Sequence, residues 1–194
     1  MFPRTTPERL NAFSDGVFAV LITVLVLALR PPAFPTFEAL LSEWPAWISY
    51  ASSYLFIAII WLNHHYLMGF AVETTHRLFW FNFMHMFSIS LLPFATAWMA
   101  ASRLAAAPVA VYAAVFFLVN VTYIALIWEI IDRSTECKIA QSARRIMHVR
   151  SFATLALFTL SALTALRYPL IGFAICFCCP LVYVRPEPPR RLAS

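Results

Sequence analysis

A chain of 194 residues that is 62% hydrophobic and 12% charged, with a mean hydropathy of +0.76, carries more apolar surface than a soluble core of this size can hide. Soluble domains hold roughly 25% charged residues, so the composition calls for lipid as the solvent. The net charge of +5 does not mark a nucleic-acid binder, because the basic residues sit in the connections between apolar runs.

The first apolar run opens with Thr6-Pro7-Glu8, a good helix start: a hydroxyl cap, a proline in the first turn and an acid at the positive end of the dipole. Arg9 and Asp15 lie near its entrance, the run from Gly16 to Leu29 is wholly apolar apart from Thr23, and Pro31-Pro32 end it. Arg4 and Arg9 ahead of an apolar run resemble a signal peptide, but no small-residue cleavage motif follows, so the segment reads as retained.

A proline-rich connection leads to a second span, entered at Trp44 and Trp47 and left through Asn63-His64-His65-Tyr66. The third has aromatics at both ends and Pro93 inside it, which predicts a kink. Six spans are predicted, over residues 7–29, 46–68, 78–101, 108–131, 151–166 and 169–184. Together they form one all-α integral membrane domain over 1–194, whose tail, 185–194, reads as disordered. The last two spans are short, which suggests a peripheral position or little tilt, and the basic connection 132–150 reads as partly helical along the membrane surface. Six crossings put eleven Lys and Arg residues on one side and three on the other, so both termini are expected to be cytoplasmic.

Cys137 falls on the basic side, where disulfides are not expected, and Cys176, Cys178 and Cys179 read as small buried hydrophobes. They lack the paired spacing of a zinc site, and neither a metal nor a cofactor is expected. No nucleophile elbow, zinc-protease motif, phosphate loop, potassium-filter motif or regular arginine ladder is visible, which leaves a membrane enzyme or a voltage sensor without support.

Two features carry chemistry. Asp15 inside a span costs about 2.5 to 3.5 kcal/mol, so it must be paired or face a wet cavity. Arg9 lies about 120° away around the helix, so partners on neighbouring helices are predicted: Asn63, His64 and His65, with Trp61, Asn82 and His85 able to join. The group reads as a polar clasp that fixes helix positions, or as a relay for protons or ions. Adjacent His64 and His65 point about 100° apart and cannot face one metal ion together. The second feature is a stripe. Gly16, Val20, Thr23, Val24 and Leu27 fall within about ±60° of one another, a pattern that suits either helix packing or a pore lining.

Arg9-x-x-x-Phe13-Ser14-Asp15, followed by Gly16-Val17-Phe18-Ala19 and the Thr23-to-Leu27 run, resembles the signature of the transmembrane protein 175 family, prokaryotic relatives of the lysosomal potassium channel. Trp61-x-x-His64-His65 and Leu92-Pro93-Phe94 are similar to its bacterial members. The resemblance implies a homotetramer in the plasma membrane in which four first helices line a potassium-selective, non-voltage-gated pore. By position it assigns the apolar constriction to Val20, a threonine layer to Thr23 and a second apolar ring to Leu27, with Gly16 and Val24 beside them. Arg9, Phe13, Ser14 and Asp15 become the structural motif that fastens the lining helix, and potassium the transported species. The alternative is a proton- or ion-coupled transporter with Asp15, His64, His65 and His85 as a relay.

Overall fold

The computed structural model describes residues 6–133 and 141–179. The end of the sixth predicted span, the tail 185–194 and Cys137 lie outside the described residues. What is described is all-helical: α1 Pro7–Leu27, a short α2 Phe37–Ser42, α3 Trp44–Met68, α4 His76–Ser90, α5 Leu92–Ala101, α6 Ala106–Ile127 continued by a π-helical turn Trp128–Asp132, α7 Gln141–Ala165 and α8 Pro169–Cys178. Among the described residues, five helical stretches are long and apolar enough to cross a membrane: α1, α3, α4 with α5, α6 with its π turn, and α7. α8 is a shorter apolar helix.

The local causes are legible. Thr6 Oγ1 caps α1 by accepting the Arg9 N–H, with Pro7 in the first turn. The third stretch breaks at Leu91, two residues before Pro93, because proline has no N–H for the ladder and its ring crowds the preceding turn. Two expectations change. The proline-rich connection holds α2, capped by Thr36. The fifth helix starts at Gln141, ten residues before the predicted 151, so Arg144, Arg145 and Arg150 ride on its first turns, not on a separate surface helix. Helix-compatible Ser142-Ala143 and Ile146-Met147 let the ladder continue through the charges. α7 and α8 pack on each other and on α6, at the side of the bundle away from α1.

α6 is the hub, touching α3, α4, α5, α7 and α8, whereas α1 lies at the edge, against α3 with lighter contact to α4 and α5. One apolar cluster joins Leu10, Leu67, Leu78 and Ile130, so the start of α1, the end of α3, the start of α4 and the end of α6 meet at one end of the bundle. Towards the opposite end Ser53 Oγ lies 2.7 Å from Thr96 Oγ1 and 2.9 Å from the Tyr112 hydroxyl, pinning α3 to α5 and α6. Buried serines let such helices approach closely while their hydroxyls are satisfied locally.

Gly172 sits at a close contact between α8 and the end of α7. A Cβ there would sit 2.6 Å from Ala165 Cβ and 2.7 Å from its Cα, and Ser161 Oγ donates to the Gly172 carbonyl oxygen at 2.7 Å. Gly172→Ala is therefore expected to force α8 off α7 and to destabilise the protein by about 2 kcal/mol or more, read as a lower unfolding temperature in detergent.

Candidate functional site: the two faces of the first helix

α1 divides lengthwise. Leu10, Ser14, Phe18, Leu21 and Leu25 are buried at the i, i+3 and i+4 spacing of one helical face. Phe13, Gly16, Val20, Thr23, Val24 and Leu27 form the opposite face, and all are exposed, Val20 to 59% and Leu27 to 79%. Nothing in the subunit lies within 4 Å of a Cβ built on Gly16. The Thr23 hydroxyl donates to the Val20 carbonyl oxygen at 2.7 Å, so its one hydrogen is used along the helix.

The polar groups form two networks. In the buried one, the Ser14 hydroxyl donates to the Leu10 carbonyl oxygen at 3.0 Å and accepts from Asn82 Nδ2 at 2.9 Å. Asn82 Oδ1 in turn accepts from His64 Nε2 at 2.7 Å. All three side chains are fully buried, and the His64 ring stacks on His85 with centroids 5.7 Å apart. This chain ties α1 to α4 and α3.

The outer network is centred on Asp15. Its carboxylate accepts from Trp61 Nε1 at 2.8 Å and from Asn11 Nδ2 at 3.2 Å, and Asn11 Nδ2 also lies 3.3 Å from His65 Nδ1. The adjacent histidines thus serve different networks, His64 inward and His65 outward, as their roughly 100° separation requires. Phe13 stacks on Phe83 of α4 at 5.1 Å.

Two residues expected in the clasp stand outside it. Arg9 contributes its backbone N–H to the Thr6 cap, and its exposed guanidinium makes no hydrogen bond or ion pair among the described residues. Asn63 donates to the Ile59 carbonyl oxygen of its own helix at 2.7 Å, which turns its amide away from α1. Asn11, in contrast, was not anticipated. It lies four residues before Asp15, the spacing that stacks side chains on one face, and that spacing was the available signal. Cys178 is exposed, unlike Cys176 and Cys179, because α8 turns that position away from the bundle.

Apolar helices of membrane-spanning length, with polar groups gathered between helices and apolar side chains facing outward, define a multi-pass helical membrane protein. A family model described as the endosomal/lysosomal potassium channel TMEM175 matches residues 9–93. A protein of Chryseobacterium sp. (strain P1-3) named as a potassium channel is 30% identical over 182 residues, 94% of each chain. Another, from Chamaesiphon minutus, is 34% identical over 127 residues, covering 59% of this chain and 61% of that one. The crystal structure of a lysosomal potassium-selective channel TMEM175 homologue from the same organism superposes with a TM-score of 0.82 at 25% identity, covering 91% of this chain and 95% of the other. The chain belongs to the TMEM175 family.

Proposed function

We propose that this protein is a potassium-selective, non-voltage-gated cation channel of the plasma membrane. It acts as a homotetramer with six spans per subunit, both termini cytoplasmic and the exposed face of α1 turned to a central pore. The observation that carries the proposal is the division of α1: a fastened polar face and, opposite it, an unpartnered stripe of small and apolar residues with one hydroxyl. Membership of a family whose bacterial relatives are named potassium channels supports it.

The mechanism follows from side-chain chemistry. Four Val20 side chains form a constriction and four Leu27 side chains a second ring, both closing by expulsion of water. Between them four Thr23 hydroxyls offer oxygen lone pairs to a partly dehydrated potassium ion. The bond from each hydroxyl to Val20 holds its hydrogen along the helix, leaving the acceptor side of the oxygen for the cation. Gly16 and Val24 widen the path on either side. The Ser14 and Asp15 networks hold the lining helix at a fixed rotation without touching the ion.

The test is potassium efflux from liposomes carrying the purified protein, with sodium as the competing ion. Channel-scale flux, with potassium preference reduced in Thr23→Ala, is the expected result. Slow, saturable flux that Thr23→Ala and Val20→Asn leave unchanged would point to the transporter instead. Gly16→Ala adds a methyl group that meets nothing in the subunit, and alanine favours helix by about 1 kcal/mol over glycine. It is expected to leave subunit stability equal or higher while reducing conductance, which single-channel recording would read.

A further inference from the structure

Between α3, α4, α6 and α7 lies a cavity of about 480 Å³, its open mouth included, with no wall on α1. Its lining is apolar and aromatic, with Phe56, Phe116 and Phe158 prominent. One polar atom in that lining is left over. His85 is fully buried, and its Nδ1 lies 2.9 Å from Thr122 Oγ1. The single hydrogen of the Thr122 hydroxyl is shared between the carbonyl oxygens of Leu118 and Val119, at 3.1 and 2.9 Å. With that hydrogen on the carbonyl oxygens, the Thr122 oxygen accepts from His85, which assigns the ring hydrogen to Nδ1. In the neutral ring Nε2 is a lone-pair acceptor, and among the described residues it has no hydrogen-bond partner.

A buried acceptor without a donor is costly, and the rest of the chamber would penalise a charged guest. We propose that this cavity is a binding site for a small neutral molecule that is apolar apart from one hydroxyl, which donates to His85 Nε2. An alkylphenol meets these terms: its ring packs among the phenylalanines and its tail runs out through the mouth. Sites of this kind are mostly apolar concavities with a few placed polar groups. The site is separate from the proposed pore, and the proposal does not depend on what the protein conducts.

The experiment measures calorimetric binding of 4-butylphenol and of 4-butylanisole, which has the same shape without the donor, to the full chain in nanodiscs. The phenol is expected to bind about tenfold more tightly than the anisole, the difference one hydrogen bond to an otherwise unpaired buried acceptor makes. His85→Leu is expected to abolish that preference. Ile60→Trp, which adds bulk to a half-buried lining residue and leaves the histidine in place, is expected to weaken both ligands. Equal affinity for the two ligands in the parent protein, or no saturable binding of either, would overturn the proposal, the second result meaning that His85 is satisfied by water alone. A preference retained in His85→Leu, or affinity unchanged in Ile60→Trp, would overturn it as well.

Discussion

Replacing Val20 with asparagine is expected to raise potassium flux through liposome-reconstituted protein by about tenfold or more. Val20 is 59% exposed on α1 and lies opposite the face packed on the bundle, so the substitution removes no contact that holds the subunit together. In the proposed tetramer four valine side chains meet, and a ring of aliphatic groups at a narrow point favours the expulsion of water. Four carboxamides there would keep the constriction wet and lend oxygen acceptors to the ion. A fall of only about 1.4 kcal/mol in the barrier already amounts to tenfold. Fluorimetric potassium release, normalised to reconstituted protein, gives the ratio. Flux equal to the parent would move the constriction away from Val20.

The second large effect is expected at Asn82. Asn82→Leu keeps the approximate volume but removes both halves of the amide, leaving His64 Nε2–H without its 2.7 Å acceptor and Ser14 Oγ without its 2.9 Å donor. Two buried polar groups lose a partner at once, and a cost of about 2 to 4 kcal/mol follows. The loss should appear as a lower thermal-unfolding midpoint in detergent. It should also appear as slower assembly, because α1 is then held mainly by its apolar contacts and by Asp15. A double-mutant cycle with Ser14→Ala separates this network from general packing. Coupling of about 0.5 kcal/mol or more is expected, and strict additivity would mean that the two side chains do not act together.

Much of this arrangement was legible in the chain, and the parts that were not have physical reasons. The cap at Thr6, the break near Pro93 and the two faces of α1 follow from local rules, because capping, the missing proline N–H and a repeat of 3.6 residues act within one helix. α7 starts earlier than the expected 151 because Arg144, Arg145 and Arg150 read as part of a partly helical surface connection, whereas arginine is a good helix former and the spanning helix itself runs through them. The clasp was legible as a set of residue types and not as a wiring diagram. Which polar group reaches which depends on helix rotation, a tertiary quantity. Asp15 finds Trp61 and Asn11, Ser14 finds Asn82 and His64, and Asn63 turns away. The transporter alternative treated Asp15 and His64 as neighbours in one relay. Among the described residues the two belong to separate hydrogen-bond networks, Asp15 with Trp61 and Asn11, His64 with Asn82.

The consequence for the mechanism is a division of labour along a single helix. The hydrogen-bonded side chains Asn11, Ser14 and Asp15 gather on the side facing α3 and α4. From Phe13 to Leu27 the side left open carries only a glycine, an alanine, aliphatic and aromatic side chains, and one hydroxyl whose hydrogen is already committed. A lining helix built this way can narrow the path with apolar rings and offer oxygen atoms at one level, while the groups that fix its rotation stay clear of the ion.

The account rests on the claim that the open face of α1 lines the ion path, and thiol accessibility tests it most directly. In a background whose four native cysteines are alanine, Thr23→Cys and, as a control on the buried face, Leu21→Cys would be reconstituted and treated with a membrane-impermeant cationic methanethiosulfonate reagent. Potassium efflux would then be followed. The account predicts that efflux through Thr23→Cys falls by about tenfold or more and recovers on reduction, while Leu21→Cys conducts unchanged. Efflux through Thr23→Cys that persists after the thiol is shown by mass to be modified would contradict it.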